Sequence, residues 1–571
     1  MPSKSLPQML CDVASQYPNN VAMEFHEGGK IRRISYAELI PIVRAYAGAV
    51  SSLGLVKGDR VVIQSENGVE WAWFDWACRS LGVIVVPIYP TLPSDQSQYI
   101  LQNCGATLVV AGDEDQAAKT RDVEGVNIVL LSELSRLAKE RHAMPSEEEW
   151  METIRSIDPG DVATIIYTSG TTGDPKGAML SHANFTDLCE SIGRWWPVGS
   201  NDKFLAFLPM SHVYERVAGQ CLPLSLGATI AYAQSLRTLG NDILTFQPTV
   251  ILAVPRVLEA VRDKILDSVA KQPKFNQRLF QWTLEQGRRK MQGRPAPLHG
   301  LLMKIVGQKI KNRLGGRIRF LVSGGAAMPR AVAEFYLPLG ITVLQGYGLT
   351  ETTAVTSVNH PDNNRYETIG QIVPGVEAKL ADDGELLIRG VSRMIGYYNM
   401  PKETAEAIDA DGWFHTGDIA EKDGDFYKII DRKKDIIVLG NGKNVAPQMI
   451  ENRLRESEWI ADAVVIGDGM DHISALVVPN FEALRKYAKE HGGASLSDQG
   501  LVDSEPVRSL IKAEVARING TLADFERVKK HALLDRPFSI ESGELTPSLK
   551  VKRRVIQERY KELIAWLTGS P

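Results

Sequence analysis

The chain has 571 residues and a formal net charge of −4. Because a single hydrophobic core stops growing at about 250–300 residues, we expect at least two domains. Apolar residues make up 44% of the chain and charged residues 23%, which is ordinary for a folded protein and excludes extended disorder. The small net charge gives no indication of nucleic-acid binding.

The first third of the chain alternates strand and helix patterns. Residues 60–64, 83–86 and 106–110 are predicted strands, and residues 69–81 and 96–103 are predicted helices between them. Nearly continuous apolar strands that alternate with helices are typical of a parallel sheet covered on both faces. We therefore predict the α/β class, with parallel-rich sheets flanked by helices in a large N-terminal domain. The tryptophans of the first helix are predicted to be core.

Two further predicted strands, residues 163–167 and 318–322, each run into a glycine-rich loop. In open α/β sheets, ligands bind beyond the carboxyl ends of the strands. These two loops are therefore the first places where we expect a ligand.

Residues 262–319 are predicted to be helical and are strongly basic, with few acidic residues. One interpretation is a solvated helical insertion. The other is a surface that binds anionic lipid or an acidic carrier. Both remain open at this point.

The C-terminal part changes in character near residue 431. Residues 424–430 are a predicted strand, residues 431–435 a short charged connector, and residues 436–439 the start of another strand. Further strand patterns and one helix pattern follow. We predict a large domain, residues 1–431, and a small α+β domain, residues 432–571.

Five scattered cysteines without a CxxC pair argue against a disulfide framework or a structural zinc site. The N-terminal stretch lacks the sustained apolar segment of a signal peptide. The most apolar short run, residues 81–88, is far shorter than the about 20 residues of a spanning helix. We expect a cytoplasmic protein, and a peripheral contact with the inner membrane face stays open, as does the oligomeric state.

The segment YTSGTTGDPKG, residues 167–177, combines hydroxyls, glycines and a lysine directly after a predicted strand. Backbone N–H groups exposed by glycine, together with Ser and Thr hydroxyls, can cradle phosphate oxygens. Lys176 can hold the loop or balance phosphate charge. The spacing differs from that of a Walker loop, which disfavours the usual kinase and motor nucleotidases.

Five side chains further along suit the other parts of a nucleotide. In QGYGLTET, residues 345–352, the Glu351 carboxylate stands beside the Thr350 hydroxyl after a glycine turn, which suits Mg²⁺, and Tyr347 offers a flat face to adenine. WFHTGD ends in Asp418, which suits ribose hydroxyls, and Arg432 follows at the predicted boundary. The last two are weak indications by themselves because a loop Asp or Arg is usually solvated.

These segments, followed by DRKKDIIVLGNGKNVAP and LTPSLKVKR in this order, resemble the acyl-adenylate-forming superfamily of AMP-dependent synthetases and ligases. The superfamily includes acyl-CoA synthetases, firefly luciferase and the adenylation domains of peptide synthetases. The resemblance covers nearly the whole chain. It implies ATP and coenzyme A as co-substrates, Mg²⁺ as cofactor, and a small C-terminal domain that is mobile.

The resemblance also implies roles for individual residues. Glu351 would bind Mg²⁺, Thr350 would contact the α-phosphate, and Lys550 matches the lysine that bridges the acid and the α-phosphate. Leu549 stands where many members have glycine, and Lys552 is so near that the lysine assignment could be off by two positions. The implied ATP-binding residues are Thr168, Ser169, Gly170, Thr171, Thr172, Gly173, Lys176, Gly325, Tyr347, Asp418 and Arg432.

In this superfamily the small domain rotates between two half-reactions, and Lys434 matches the hinge. The rotation would withdraw Lys550 and bring in residues 436–447. Gly442 and Lys443 would then bind coenzyme A along its pantetheine arm, since a glycine without Cβ permits close approach.

The segment LPMSHVYER, residues 208–216, resembles the long-chain fatty acyl-CoA synthetase branch, in which His212 would lie beside the acid and act as a catalytic residue. The expected reaction joins a fatty acid to coenzyme A and forms AMP and diphosphate through an acyl-adenylate. The alternatives are a fatty acyl-AMP ligase that loads an acyl carrier protein, and an aryl or medium-chain acyl-CoA ligase. The carrier-loading enzymes usually have an insertion between the domains, and residues 418–432 are too few to contain one.

Overall fold

The computed structural model describes residues 3–168, 174–490, 496–546 and 551–568. Within these ranges, the residues up to Arg432 form two large mixed sheets with helices packed on them. The strands of this part are β1 (Val21–Glu27), β2 (Lys30–Ser35), β3 (Arg60–Gln64), β4 (Ile84–Ile88), β5 (Leu108–Ala111), β6 (Asn127–Leu130), β7 (Val162–Thr168), β8 (Lys176–Ser181), β9 (Lys203–Ala206), β10 (Thr229–Tyr232), β11 (Val250–Ala253), β12 (Phe320–Ser323), β13 (Thr342–Tyr347), β14 (Ser357–Val358), β15 (Gly370–Ile372), β16 (Val376–Leu380), β17 (Glu385–Gly390), β18 (Gly396–Tyr397), β19 (Phe414–Asp423) and β20 (Phe426–Arg432).

The helices of the same part separate most of these strands and cover the sheets. They are α1 (Leu6–Gln16), α2 (Tyr36–Ser52), α3 (Val69–Ser80), α4 (Ser94–Cys104), α5 (Glu114–Ala118), α6 (Leu131–Lys139), α7 (Glu147–Arg155), α8 (His182–Trp195), α9 (Leu222–Ser225), α10 (Leu239–Phe246), α11 (Pro255–Ala270), α12 (Lys274–Met291), α13 (His299–Leu302), α14 (Gln308–Arg313), α15 (Arg330–Tyr336) and α16 (Pro401–Ala407). Two segments, Glu215–Cys221 and Met303–Gly307, are π-helical.

The larger sheet has the strand order β16-β17-β19-β20-β15-β14-β13-β12-β11-β9-β10-β1-β2. Strands β1, β10, β9, β11, β12 and β13 run parallel, and the pairs on either side of them are antiparallel. The parallel strands β11 and β12 are buried along their whole length, as expected for a sheet covered on both faces.

The smaller sheet has the order β18-β8-β7-β4-β3-β5-β6, and β7, β4, β3, β5 and β6 are parallel. The predicted α/β class with parallel-rich sheets is confirmed. Strand β3 has the predicted bounds, and β4 and β5 are shifted by one or two residues. The antiparallel pairing of β7 with β8 places Thr168 opposite Lys176, at the two ends of the predicted phosphate loop.

Helix α3 is core, as its composition predicts. Trp71, Phe74 and Trp76 are at most 2% exposed. The same helix also buries charge: Asp75 Oδ2 pairs with Arg79 Nη2 at 2.8 Å, and its Oδ1 pairs with Arg216. The rings of Trp76 and Trp71 pack on this cluster: the guanidinium carbon of Arg79 lies 5.2 Å from the ring centre of Trp76, and that of Arg216 lies 5.4 Å from the ring centre of Trp71.

This cluster connects α3 with the smaller sheet. Arg216 Nη1 donates to Thr164 Oγ1 at 2.6 Å, and Thr164 lies on β7. Arg216 and Arg79 are each 1% exposed. Burial lowers the pKa of Arg216 to about 10, with Asp75 opposing the shift, so the guanidinium stays charged at neutral pH.

The C-terminal part contains two small sheets and its own helices. The strand orders are β21-β22 and β23-β24-β25. The strands are β21 (Ile437–Val438), β22 (Asn444–Val445), β23 (Ile460–Ile466), β24 (Ile473–Pro479) and β25 (Val528–Leu533), and the helices are α17 (Pro447–Leu454), α18 (Phe481–Glu490), α19 (Asp498–Asp503), α20 (Glu505–Asn519), α21 (Arg553–Arg559) and α22 (Lys561–Thr568).

The buried apolar clusters fall into two sets, which occupy different parts of the chain. Two clusters contain residues up to Tyr427, and two others contain residues from Ile437 onward. The predicted boundary at Asp431 lies between these sets and remains a prediction. The charged stretch expected as a connector begins inside a strand, since Asp431 and Arg432 are the last residues of β20.

Candidate active site

One cavity of about 2070 Å³ collects most of the residues that the sequence singles out. Its walls come from both large sheets and from the C-terminal part of the chain. The predicted site residues that line it are Thr168, Lys176, His212, Gly325, Tyr347, Thr350, Glu351, Asp418, Arg432 and Lys434.

Asp418 and Arg432 face each other across neighbouring strands. They are register partners in the antiparallel pair β19 and β20, and Asp418 Oδ1 lies 2.7 Å from Arg432 Nε. Asp418 is 3% exposed, and its Oδ2 accepts the phenol proton of Tyr347. Burial and then the Asp418 carboxylate raise the pKa of Tyr347 well above its ordinary value, so this phenol remains a donor.

Asp418 keeps its place through the backbone as well. Its N–H donates to Thr416 Oγ1 at 3.1 Å, and Thr416 Oγ1 donates to the carbonyl of Leu386 at 2.7 Å. Burial lowers the pKa of Arg432, but Asp418 and the further anionic neighbours Glu351 and Asp435 together with Tyr347 raise it, and the net direction is upward. The site therefore holds a fixed carboxylate, that of Asp418, beside a guanidinium that stays charged, that of Arg432.

Thr350 and Glu351 lie in a 3₁₀ turn directly after β13. Thr353 and Ala354 follow with φ of 50° and 68°, a left-handed conformation that non-glycine residues adopt at a cost of about 1–3 kcal/mol. Thr353 Oγ1 donates to the carbonyl of Ser392 at 2.6 Å and holds this turn. The turn therefore presents the hydroxyl and the carboxylate to the cavity in a fixed arrangement.

Tyr397 is a cavity residue that sequence reasoning missed. Its Oη donates to Glu351 Oε1 at 2.9 Å, and Lys176 Nζ lies 5.2 Å from the centre of its ring. Tyr397 reaches this position because β18 pairs with β8, with Tyr397 opposite Ala178. No local pattern indicates a pairing between strands so far apart in sequence.

The Glu351 carboxylate and the Thr350 hydroxyl fit Mg²⁺. Both are hard oxygen donors, and Mg²⁺ usually takes only one or two protein ligands while phosphates and water supply the others. The hydrogen bond from Tyr397 engages Oε1 of the Glu351 carboxylate and thereby orients the second carboxylate oxygen.

His212 lies at the wall between β9 and the π-helix Glu215–Cys221. Its Nδ1 accepts the N–H of Tyr214 at 3.1 Å, and its ring centre is 6.4 Å from that of Tyr89. Since Nδ1 acts as acceptor, the neutral ring carries its proton on Nε2.

A second part of the cavity wall is apolar and reaches deep core positions. Phe204, Leu222 and Leu252 line the cavity although each is at most 3% exposed to solvent. Ile192 and Trp196 lie in the same wall, with 2% and 5% exposure. All five are apolar and buried, but no local sequence pattern indicates that they surround one space.

Residues beside the predicted hinge, Lys434, contact both parts of the chain. Asp431 Oδ2 accepts the N–H of Gln448 at 2.8 Å, in the first turn of α17. Lys433 Nζ pairs with Asp383 Oδ2 at 2.6 Å and with Glu385 Oε2 at 2.9 Å. Burial raises the pKa of Asp431 to about 6.

Lys434, the predicted hinge residue, lines the cavity. Burial and then the Arg432 cation lower its pKa. Arg256 and Asp462 also line the cavity, and Arg256 Nη2 pairs with Asp462 Oδ2 at 3.0 Å, which connects α11 with β23. Ion pairs at such a boundary can be exchanged when domains move, since each is partly solvated.

Gly442 and Lys443, the predicted coenzyme A residues, lie elsewhere. They form the exposed turn between β21 and β22, and Gly442 has φ of 79°. Lys443 Nζ is 4.8 Å from the centre of the Phe525 ring. Neither belongs to the cavity wall in this arrangement of the two parts.

Six predicted residues lie outside the described part of the chain: Ser169, Gly170, Thr171, Thr172, Gly173 and Lys550. Their neighbours Thr168, Thr546 and Val551 all line the cavity. Leu545 and Val551 form an antiparallel bridge, and Lys552 N–H donates to the Glu544 carbonyl at 2.8 Å.

None of the helices in the described part of the chain combines the length and apolar character that crossing a bilayer requires.

The α/β fold and a deep cavity with convergent polar groups define an enzyme. Two family models match the chain: that of the AMP-binding enzymes over residues 10–398, and that of the AMP-binding enzyme C-terminal domain over residues 434–567. The chain therefore belongs to the AMP-binding enzyme family.

Similar proteins indicate the branch of the family to which the chain belongs. The long-chain-fatty-acid–CoA ligase FadD15 of Mycobacterium bovis is 34% identical over 92% of this chain and 91% of its own length. The human long-chain-fatty-acid–CoA ligase 1 is 30% identical over 93% of this chain and 82% of its own. Within the family the chain falls in the fatty acyl-CoA synthetase branch, whose members are AMP-forming acid–thiol ligases.

The fold agrees with solved structures of the family. The ATP-bound MatB structure from Rhodopseudomonas palustris superposes with a TM-score of 0.73 at 23% identity, over 98% of this chain and 99% of that chain. At this identity the likeness concerns the fold.

Proposed function

We propose that the protein is a long-chain fatty acid–CoA ligase that forms acyl-CoA, AMP and diphosphate from a fatty acid, ATP and coenzyme A. The observation that carries the proposal is a single cavity with two kinds of wall. Asp418, Tyr347 and Glu351 supply groups that suit a nucleotide, and Phe204 and Leu252 supply an apolar wall in the core. An acyl chain and a nucleotide could thus meet in one space.

The names of the relatives support the substrate class. The proteins from Mycobacterium bovis and human carry the name long-chain-fatty-acid–CoA ligase, and each covers most of this chain. The hairpin β19–β20 has only two residues between its strands, and its shortness supports coenzyme A as the acceptor, since an insertion between the domains is expected of carrier-loading enzymes.

In the first half-reaction, an oxygen of the acid attacks the α-phosphorus of ATP. The bond from that phosphorus to the bridging oxygen breaks, and diphosphate leaves with the electron pair. Negative charge gathers on the phosphate oxygens, so the Lys176 ammonium, the Thr350 hydroxyl and Lys550 would stabilise the transition state. Bound Mg²⁺ would supply further charge neutralisation at the phosphates.

The nucleoside would be held by Asp418, in the middle of β19, and by Tyr347, at the end of β13. Both oxygens of the Asp418 carboxylate already accept one hydrogen bond, and each retains lone-pair capacity for a ribose hydroxyl. The ring of Tyr347 would stack on adenine.

In the second half-reaction, the thiol of coenzyme A attacks the acyl carbon, the bond to the AMP oxygen breaks, and AMP leaves. His212, with its proton on Nε2, would lie beside the acyl group. Since Gly442 and Lys443 lie outside the cavity, this step would need a rotation about Lys434 that brings them to it.

The test is an assay of AMP release with palmitate or benzoate as acid, and with coenzyme A or a holo acyl carrier protein as acceptor. We expect release with palmitate and coenzyme A to exceed the other combinations. Faster release with benzoate would make the protein an aryl-CoA ligase. Acyl transfer to the carrier alone would make it a carrier-loading ligase. A series from short to very long acids then gives the chain-length preference.

Replacing Asp418 by asparagine removes the carboxylate proposed to hold ribose and leaves Arg432 without its ion pair. Losing a hydrogen bond to a charged group costs about 1.5–3 kcal/mol, so we expect kcat/KM for ATP to fall about 10- to 100-fold. Steady-state kinetics with varied ATP measure it.

Asp423→Asn is the matched control, because Asp423 lies on the same strand but is 90% exposed and pairs with Arg365 at 2.8 Å. We expect it to leave kcat/KM for ATP unchanged. Equal kinetics for Asp418→Asn and Asp423→Asn would contradict the ribose role.

A further inference from the structure

Tyr397 contacts two of the groups that are expected at the phosphates of the nucleotide. Its Oη donates to Glu351 Oε1 at 2.9 Å, and the centre of its ring lies 5.2 Å from Lys176 Nζ. Glu351 is the residue proposed to bind Mg²⁺, and Lys176 is a cation proposed to balance phosphate charge. One side chain thus contacts both the carboxylate for the metal and the cation for the nucleotide.

The backbone around Tyr397 is tied to the same two regions. The N–H of Met394 donates to the carbonyl of Glu351 at 2.8 Å. The N–H of Tyr398 donates at 2.8 Å to the carbonyl of Gly177, the second residue of β8. Strand β18 lies between these two bonds and pairs with β8. A short strand is therefore anchored to the Glu351 turn at one end and to the end of the predicted phosphate loop at the other.

The strand pairing also fixes which face of the sheet carries the ring. Tyr397 lies opposite Ala178, and Lys176 stands two residues before Ala178 on β8. Residues directly opposite in an antiparallel pair share a face of the sheet, and so do residues two apart on one strand. Tyr397 and Lys176 therefore lie on the same face, which explains why the ammonium is found over the ring.

The hydroxyl of Tyr397 restricts the Glu351 carboxylate. An ionised carboxylate has no proton to donate, so the phenol donates and Glu351 accepts. A donor on Oε1 limits rotation of the carboxylate and leaves Oε2 for a cation. Removing a hydrogen-bond partner that stands behind a metal ligand typically costs about 10–100-fold in metal affinity or activity.

The ring of Tyr397 restricts the Lys176 ammonium. A cation over an aromatic face is attracted by it, and the flexible stem of a lysine otherwise allows the charge many positions. Tyr397 is 8% exposed, so the ring offers a surface with little competing water. The ammonium is thereby kept at the end of the phosphate loop, where the nucleotide phosphates are proposed to bind.

We propose that Tyr397 is a positioning residue for the magnesium complex of ATP, with its hydroxyl holding Glu351 for the metal and its ring holding Lys176 for the phosphates. This inference rests on the proposed function, from which it takes the roles of Glu351 and Lys176. It assigns to Tyr397 an effect on nucleotide binding that is exerted through these two neighbours.

The experiment is calorimetric titration of the full-length protein with ATP, once with excess Mg²⁺ and once with a chelator. Acid and coenzyme A are left out so that no turnover occurs. Tyr397→Phe removes the hydroxyl and keeps the ring. We expect it to weaken ATP binding about tenfold or more with Mg²⁺ and to leave binding without Mg²⁺ unchanged. Tyr397→Leu also removes the ring, and it should weaken binding without Mg²⁺ about 2- to 10-fold.

The Mg²⁺ dependence of AMP release gives a second readout. Tyr397→Phe should need about tenfold more Mg²⁺ for its half-maximal rate and recover most of its kcat when Mg²⁺ is saturating. A merely structural loss would lower the rate at every Mg²⁺ concentration, and added metal would not restore it.

Tyr427→Phe is the matched control. Tyr427 is also buried in a strand, its Oη donates to the carbonyl of Ala378 at 3.2 Å, and Lys422 Nζ lies 5.2 Å from the centre of its ring. It has the same two kinds of contact but does not line the cavity. We expect its ATP binding and Mg²⁺ requirement to equal those of the unmodified protein. The unfolding midpoint should fall by a similar small amount in Tyr397→Phe and Tyr427→Phe, because each loses one buried hydroxyl.

Three results would overturn the inference. The first is an unchanged ratio of the ATP affinities with and without Mg²⁺ in Tyr397→Phe. The second is an equal rise of the Mg²⁺ requirement in Tyr427→Phe. The third is identical binding without Mg²⁺ in Tyr397→Phe and Tyr397→Leu, which would remove the role of the ring. If the unmodified protein bound no ATP at all, the proposed function itself would fail, so the two failures are distinguishable.

Discussion

Replacing Lys550 by alanine is expected to slow acyl-adenylate formation by at least about 10²–10³-fold and to spare thioester formation from a supplied acyl-adenylate. The lysine would neutralise charge that develops on the α-phosphate only in the first half-reaction. In the second half-reaction the phosphate is already bonded to the acyl group, and the domain rotation would have withdrawn the lysine. Diphosphate release measures the first step, and thioester formation from synthetic acyl-AMP and coenzyme A measures the second.

Lys552→Ala is the control for the register of this assignment. If Lys550 is the bridging lysine, Lys552→Ala retains near-normal diphosphate release. If the large loss appears in Lys552→Ala instead, the assignment is off by two positions. If Lys550→Ala slowed both half-reactions equally, the proposal that Lys550 acts only in the first half-reaction would be refuted.

Replacing Asp75 by asparagine is expected to destabilise the protein by about 3–5 kcal/mol. Asp75 is the carboxylate that compensates Arg79 and Arg216, and both guanidinium groups are only 1% exposed. Asparagine keeps the shape and removes the charge, so two buried cations would remain without a counter-ion. The midpoint of urea-induced unfolding measures the effect.

Glu140→Gln gives the matched control. Arg136 and Glu140 form an ion pair at 2.9 Å with the same four-residue helical spacing as Asp75 and Arg79, but both side chains are more than half exposed. An exposed pair contributes about 0–1 kcal/mol, so its midpoint should hardly move. A small effect in Asp75→Asn, similar to that in Glu140→Gln, would show that the buried cluster does not stabilise the fold.

The Asp75 cluster is also connected to two walls of the candidate active site. Arg216 follows His212 by four residues, and Thr164 lies on the strand that ends at Thr168. His212 and Thr168 both line the cavity. Loss of the cluster should therefore also reduce enzymatic activity at urea concentrations too low to unfold the protein. The reason is that two walls of the cavity lose a shared support.

The residues proposed to bind the nucleotide could be selected from the sequence because the chemistry they offer is local. A phosphate loop needs glycines and hydroxyls next to one another, and a turn that presents Glu351 beside Thr350 is set by a few neighbouring residues. The strands of the smaller sheet were predictable for a similar reason, since continuous apolar runs such as residues 60–64 indicate burial on both faces.

The tertiary structure alone decided which distant residues meet. Tyr397 reaches Glu351 only because β18 adds to the edge of β8, and edge pairing has no local sequence pattern. The position of Gly442 and Lys443 outside the cavity depends on how the two parts of the chain are arranged, which short-range preferences do not encode.

The apolar wall of the cavity is the clearest example of what cannot be predicted from local sequence. The sequence by itself determined that Phe204, Leu222 and Leu252 are apolar, which favours burial, and all three are buried. Only the packing of the elements decided that these side chains border a cavity rather than fill it. Burial follows from hydrophobicity residue by residue, whereas an enclosed space depends on the shapes and distances of all its walls together.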